Sequence, residues 1–172
     1  MRDGKQIALI AISDVGPAVE SEIATAADRA RLSDAIASAR SRASLVACMV
    51  HWGIENTENI TDEQRELARW LIDRGVDFVV GSHPHCVQPL DFYHGCPIAY
   101  SLGNLVFDGA PTVASWNHSA LLEVTLDGNA KVASASLIPL ILEAGLPQMD
   151  RTASETGLGS AENFPRSAAA AP

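Results

Sequence analysis

Val76-Asp77-Phe78-Val79-Val80-Gly81-Ser82-His83-Pro84-His85 decides the fold, because an apolar run of strand length stops in two histidines one residue apart. Two imidazoles are thereby expected just past the end of a buried strand. Upstream, Thr61-Asp62-Glu63-Gln64 has the form of a capping box, so a helix should start at Thr61. Its apolar face is Leu67, Ala68, Leu71 and Ile72, its acidic residues Asp62 and Glu63 lie at the positive end, and Gly75 supplies the stop. Further upstream, Leu45-Val46-Ala47-Cys48-Met49-Val50 reads as another strand and ends in His51-Trp52-Gly53. Strand, helix and strand in succession imply a parallel pair, which brings both histidine segments to the same end of one sheet.

The pattern extends in both directions. Ile7 to Ile12 reads as a buried strand, followed by a loop at Gly16-Pro17 and an amphipathic helix from about Ala27 to Arg42 with Leu32, Ile36 and Ala39 at helical spacing. Downstream, Pro97-Ile98-Ala99-Tyr100 is a short strand leading into the polar loop Ser101-Leu102-Gly103-Asn104. Ala120 to Leu126 and Lys131 to Leu140 flank Asp127-Gly128-Asn129, a turn signal that predicts an antiparallel hairpin. From Asp150 to Pro172 the chain is rich in Ala, Ser, Gly and Pro and reads as a disordered tail. Within it Gly157-Leu158-Gly159-Ser160 is too isolated to be a phosphate-binding loop. The expectation is an α/β domain with a parallel strand-helix-strand core and a C-terminal hairpin.

Composition narrows the function classes. At 172 residues, with 47% hydrophobic and 19% charged residues, the chain has the size and balance of one globular domain. A net charge of −9 argues against nucleic acid as a partner. Neither a signal peptide nor a membrane span is evident, since the apolar run after Lys5 is too short. Cys48, Cys86 and Cys96 lack the spacing of a zinc knuckle; Cys48 reads as a buried hydrophobe, and Cys86 beside His85 is at most a ligand or thiol candidate.

Imidazole is the commonest side-chain ligand for divalent transition metals, and strand-end loops hold such groups while leaving positions open. Each histidine alone is most simply a polar loop residue. Together, His51, His83 and His85 at the ends of neighbouring parallel strands make a shared metal site the sharper reading, with Pro84 stiffening the pair. His94 reads as a turn residue, and His118 as a surface or strand-edge residue. Glu55 is a solvated loop glutamate or a general acid or base beside His51. Trp52 is a core residue or a pocket wall. Ser82 or Ser101 as a nucleophile, with Asp77 or Asp91 as orienter, is weaker because the chain has no Gly-x-Ser-x-Gly elbow.

Taken together, His51-Trp52-Gly53-Ile54-Glu55, Gly75-Val76-Asp77, Gly81-Ser82-His83-Pro84-His85, Gln88-Pro89 and the segment from Tyr100 to Asp108 resemble the bacterial capsule synthesis protein CapA family. The resemblance runs from about Gly4 to Met149, so residues 1–149 are expected to be part of such a domain and 150–172 its tail. That family is linked to poly-γ-glutamate capsule production and is similar to the calcineurin-like metallophosphatases. The resemblance implies β-sheets flanked by helices around a two-metal site holding Mn, Fe or Zn. It makes His51, His83 and His85 metal ligands and puts Glu55 and Asn104 among the catalytic surroundings. It also implies metal-assisted hydrolysis of a phosphoester or related bond in making a capsule polymer.

Where the chain departs from the pattern, the expectation changes. Nothing before His51 offers the Gly-Asp loop or the Asn-Leu-Glu loop that would complete the metal ligands, and Asp14 is a weak substitute. Asn56 stands where relatives often carry an aromatic residue. The sequence thus reads as the C-terminal portion of an incomplete metallophosphatase-like sandwich, inactive by itself, with an exposed edge for a partner chain. The competing reading is a non-catalytic assembly or binding component of the capsule machinery. Full-length relatives are often membrane-anchored or extracytoplasmic.

Overall fold

The computed structural model describes residues 5–15, 28–107 and 114–152, with nothing said of the side chains of residues 114 and 115. The loop expected at Gly16-Pro17, Asp108, the Gly157 segment and the tail beyond residue 152 lie outside them. Strands β1 (Ile7–Ser13), β2 (Leu45–His51), β3 (Phe78–Ser82), β4 (Val87–Tyr93) and β5 (Cys96–Leu102) form a sheet in the order β1-β2-β3-β5-β4. All pairings are parallel except β4 with β5. Helix α1 (Arg29–Arg40) connects β1 to β2, and α2 (Asp62–Asp73) connects β2 to β3. A 3₁₀ turn at Ala114–Asn117 leads into a separate antiparallel sheet, β6 (His118–Leu126), β7 (Val132–Glu143) and β8 (Leu146–Met149). The α/β class and the parallel strand-helix-strand core are as the sequence implies, and the arrangement is consistent with a metallophosphatase-like sandwich.

The elements form where their chemistry directs. Thr61 caps α2 by accepting from the Gln64 backbone N–H at 3.2 Å, while the Gln64 side chain accepts from the Thr61 N–H at 3.0 Å. Asp28 caps α1 through the Arg31 N–H. Both helices cover the same sheet face: Leu32 and Ile36 from α1 and Leu67 and Leu71 from α2 pack on Val46, Cys48, Val50, Val79, Ile98 and Tyr100. Each such large aliphatic side chain contributes about 1.5–3 kcal/mol on burial.

Alternate residues turn to the opposite face. Register there aligns Ile7 with Leu45, Leu9 with Ala47 and Phe78, Ala11 with Met49 and Val80, and finally Ser13 with His51 and Ser82. At the β4–β5 end, Leu90 and Ala99 on this face pack against Ala120, Ala135 and Leu137 of the second sheet. At the β1 end it is open, with Ile7 and Leu9 each 62% exposed.

Several sequence expectations need correction. The third strand starts at Phe78; at Asp77 the backbone N–H donates to the Val46 carbonyl at 2.8 Å, and the carboxylate, in place of a backbone carbonyl, accepts from the Val46 N–H at 2.7 Å and pairs with Arg40. That structural role removes Asp77 as an orienter of a serine nucleophile. Trp52, by contrast, is fully buried in the core between helix and sheet, in line with the favoured reading of it as a core residue, rather than a pocket wall. β4 is an additional strand, and the C-terminal hairpin is extended by β8 into three strands.

A buried amide pair ties the loop after β2 to β4. Gln64 Nε2 donates to Gln88 Oε1 at 3.0 Å, and Gln88 Nε2 donates to the carbonyls of Thr57 and Asn59 at 3.0 and 3.2 Å. Every polar end is matched, so the pair is rigid without a desolvation penalty left open. Among the described residues no helix is long and apolar enough to cross a membrane.

Candidate metal site

Three loops converge at the carboxyl ends of β2, β3 and β5, the end of an open α/β sheet where ligands bind. His51 closes β2, and its ring centroid lies 4.6 Å from that of His83. His83 and His85, past β3, have centroids 6.4 Å apart. The sequence-predicted histidines are therefore brought together in successive pairs. Among the described residues, however, no three His, Cys, Asp or Glu side chains are arranged to close around one ion.

The loop carrying His83 and His85 is shaped by its surroundings. Both residues have left-handed backbones, φ 105° and 60° respectively, which non-glycine residues adopt only when the fold enforces it. Trp52 Nε1 crosses over Gly81 to donate to the Tyr100 carbonyl at 2.8 Å, completing the join between β3 and β5 where their ladder ends. A Cβ at Gly81 would lie 1.9 Å from that carbonyl oxygen, so only glycine fits there. From the other side the Asn56 N–H donates to the Pro84 carbonyl at 2.9 Å.

Hydrogen bonds hold two of the rings. His85 Nδ1 is 2.7 Å from Asn104 Oδ1, which can only accept, while Asn104 Nδ2 donates to the His85 and Trp116 carbonyls at 3.4 and 3.5 Å. His85 therefore carries a proton on Nδ1. His51 Nδ1 lies 3.2 Å from Ser82 Oγ, which also lies 3.4 Å from the Val50 carbonyl, so the hydroxyl can hold the ring either as acceptor or as donor. Burial lowers the pKa of His51, the neighbouring His83 and His85 lower it further, and Glu55 opposes them. Neutral imidazole, the ligating form, is favoured.

The other candidates fall into place around this cluster. Asn104 contacts His85 rather than open space, so its position is that of an orienting group. Ser82 likewise supports His51. Glu55 is exposed on the loop after β2, within electrostatic reach of His51. Asp14 donates its backbone N–H to the His51 carbonyl at 2.8 Å, and burial raises the pKa of its carboxyl, with Arg29 lowering it and Glu63 raising it. His94 sits in a turn with φ 50°, and exposed His118 opens β6. Cys86 donates its thiol to the Thr57 carbonyl at 3.0 Å and is buried. Trp116 escaped sequence reasoning: its ring stacks on His85 at 4.8 Å. The only signal was an aromatic residue in the stretch before His118, which reads equally well as packing.

Imidazole donors, two of them held by hydrogen bonds with Ser82 and Asn104, suit a divalent transition metal in kind. The arrangement defines the class: an α/β protein with a histidine-lined site at the ends of parallel strands. The family model described as bacterial capsule synthesis protein PGA_cap matches residues 3–109, and the chain belongs to that family. It is 43% identical over 94 residues to "PGA biosynthesis protein CapA" of Bacillus subtilis, covering 55% of this chain and 24% of that protein. It is 38% identical over 109 residues to "Capsule biosynthesis protein CapA" of Bacillus anthracis, covering 63% and 26%. A "Probable polyglutamine synthesis accessory protein" of Mycobacterium tuberculosis is 30% identical over 96 residues, covering 53% and 25%. The matched region spans about a quarter of the length of these curated relatives.

Proposed function

We propose that this chain supplies the histidine part of a divalent-metal site used for phosphoester-type hydrolysis in the synthesis of a capsule polymer of the poly-γ-glutamate kind. The observation that carries the reading is the convergence of His51, His83 and His85 at neighbouring strand ends, with the His51 ring held by Ser82 and the His85 ring by Asn104. A metal-ligating histidine commonly gives its other ring nitrogen to such a partner, which fixes the ring for coordination. A bound Mn, Fe or Zn ion would polarise a phosphoryl oxygen and favour water as nucleophile. His51, His83 and His85 would hold it, Ser82 and Asn104 would orient the rings, and Glu55, at the rim, is placed to exchange a proton with solvent. Further donors from outside the described residues would complete a two-metal centre.

The second reading, a binding or assembly component of the polymer machinery, is favoured by one observation: no three candidate donors among the described residues close on one point. Metal uptake separates the two. Equilibrium dialysis against Mn²⁺ or Zn²⁺ should give bound metal that is lost in His83→Ala and in His85→Ala. Hydrolysis of a phosphodiester such as bis-p-nitrophenyl phosphate is expected only where the further donors are supplied, and there it should be lost with the metal. Metal content unchanged in both variants would sink the metal-site reading.

A further inference from the structure

We infer that Asn56 and Trp116 form a clasp that fixes the ring of His85, making both of them positioning residues for that histidine. The circuit is closed. Trp116 stacks on the imidazole at 4.8 Å with planes 25° apart, and its Nε1 donates to Asn56 Oδ1 at 2.5 Å. Asn56 is itself fastened to the histidine loop through its N–H to the Pro84 carbonyl at 2.9 Å. On the opposite edge the Trp116 carbonyl accepts from Asn104 Nδ2, and Asn104 Oδ1 accepts from His85 Nδ1. Phe107 backs the indole edge-on at 5.2 Å and 87°.

Each contact removes a different freedom. Asn104 fixes which ring nitrogen carries the proton, and the indole face fixes the ring plane. Asn56 then fixes the indole relative to the backbone that carries His85. The left-handed backbone of Asn56, φ 63°, is one that asparagine tolerates better than most residues, and it aims the amide at the indole. The loops after β2, β3 and β5 and the turn before β6 are thus locked around one imidazole.

His85 as a metal ligand rests on the function proposed above; the clasp rests on these contacts alone, and the two are tested separately. In metal-free protein, ¹H–¹⁵N spectra of the imidazoles should show His85 as the Nδ1–H tautomer with ring protons shifted upfield by the indole. Asn56→Gly keeps the left-handed backbone and removes only the side-chain acceptor. It should move those protons toward ordinary values although Trp116 is still present. Trp116→Phe, which keeps a ring but no donor, should behave alike.

In titrations with Mn²⁺ or Zn²⁺, affinity should fall about 10–100-fold in Asn56→Gly and in Trp116→Ala, the usual effect of losing a group that orients a ligand. Far-UV circular dichroism checks that each variant is folded. His85 shifts unchanged in Asn56→Gly and in Trp116→Phe would overturn the clasp. So would affinity within twofold of the parent wherever the parent binds metal. A parent that takes up no metal would defeat the function proposed above, and the metal-free spectra would still decide the clasp.

Discussion

Replacing Gly81 with alanine tests how the histidine loop is held. The added Cβ would sit 1.9 Å from the Tyr100 carbonyl oxygen, 2.7 Å from its carbon and 2.3 Å from Trp52 Nε1, against ordinary contacts near ~3.5 Å. A side chain alone could swing aside, but the Tyr100 carbonyl is β5 backbone, so β3 and β5 must part. Overpacking of this kind costs about 1–3 kcal/mol. Breaking the buried bond from Trp52 to Tyr100 leaves both groups unsatisfied and adds about 1–3 kcal/mol.

For a chain of this size the total corresponds to a fall in Tm on the order of 10 °C. Thermal and urea unfolding followed by circular dichroism would measure it, and metal binding should weaken because Ser82 to His85 shift with β3. Gly128→Ala is the control, since nothing lies within 4 Å of its added methyl. The double variant Gly81→Ala, Trp52→Phe should not recover stability, because the carbonyl remains in the way. Recovery there would identify the indole as the obstacle, and a loss below about 1 kcal/mol in Gly81→Ala would refute the close approach itself.

Two further outcomes follow from the same geometry. His83→Gly should be more stable than His83→Ala by about 1 kcal/mol, since glycine adopts φ 105° without the steric cost, while metal uptake falls in both; equal urea midpoints would show that the backbone there is unstrained. Burial pushes the Cys48 thiol up to about 12, whereas an unfolded thiol ionises near ~8.5. Between those values the folded chain keeps a proton that the unfolded chain releases, so the stability contributed by Cys48 is complete below the lower value and declines as pH rises. The penalty of Cys48→Ala should therefore shrink from pH 8 to pH 10. Alkylation of native Cys48 at pH 8.5 as fast as in urea would contradict the burial argument.

The strand-helix-strand core was legible because parallel strands covered by helices read as unbroken apolar runs, and because the Thr61 capping box and Gly75 mark the helix ends. β4 was not. Its Val87-Gln88-Pro89-Leu90-Asp91 mixes a proline and a buried amide, Gln88, into the run, and proline is tolerated there because β4 is an edge strand. β8, with Pro147, is short and at an edge for the same reason. The histidines were readable as strand-end neighbours, since two parallel strands must bring their ends together. The His85 tautomer and the indole over that ring were not readable, because they depend on side chains from the loop after β5 and the turn before β6 whose spatial nearness leaves no periodic trace.

Gln64 carries a wider consequence. The same amide that accepts from the Thr61 N–H at the start of α2 also donates to Gln88, which holds the loop bearing Glu55. A substitution at either glutamine therefore changes what is tolerable at the other, and drift at one position should be followed by a matching change across 24 residues of sequence. In an alignment of this family, positions 64 and 88 should covary, with the helix start and the site loop inherited as one unit.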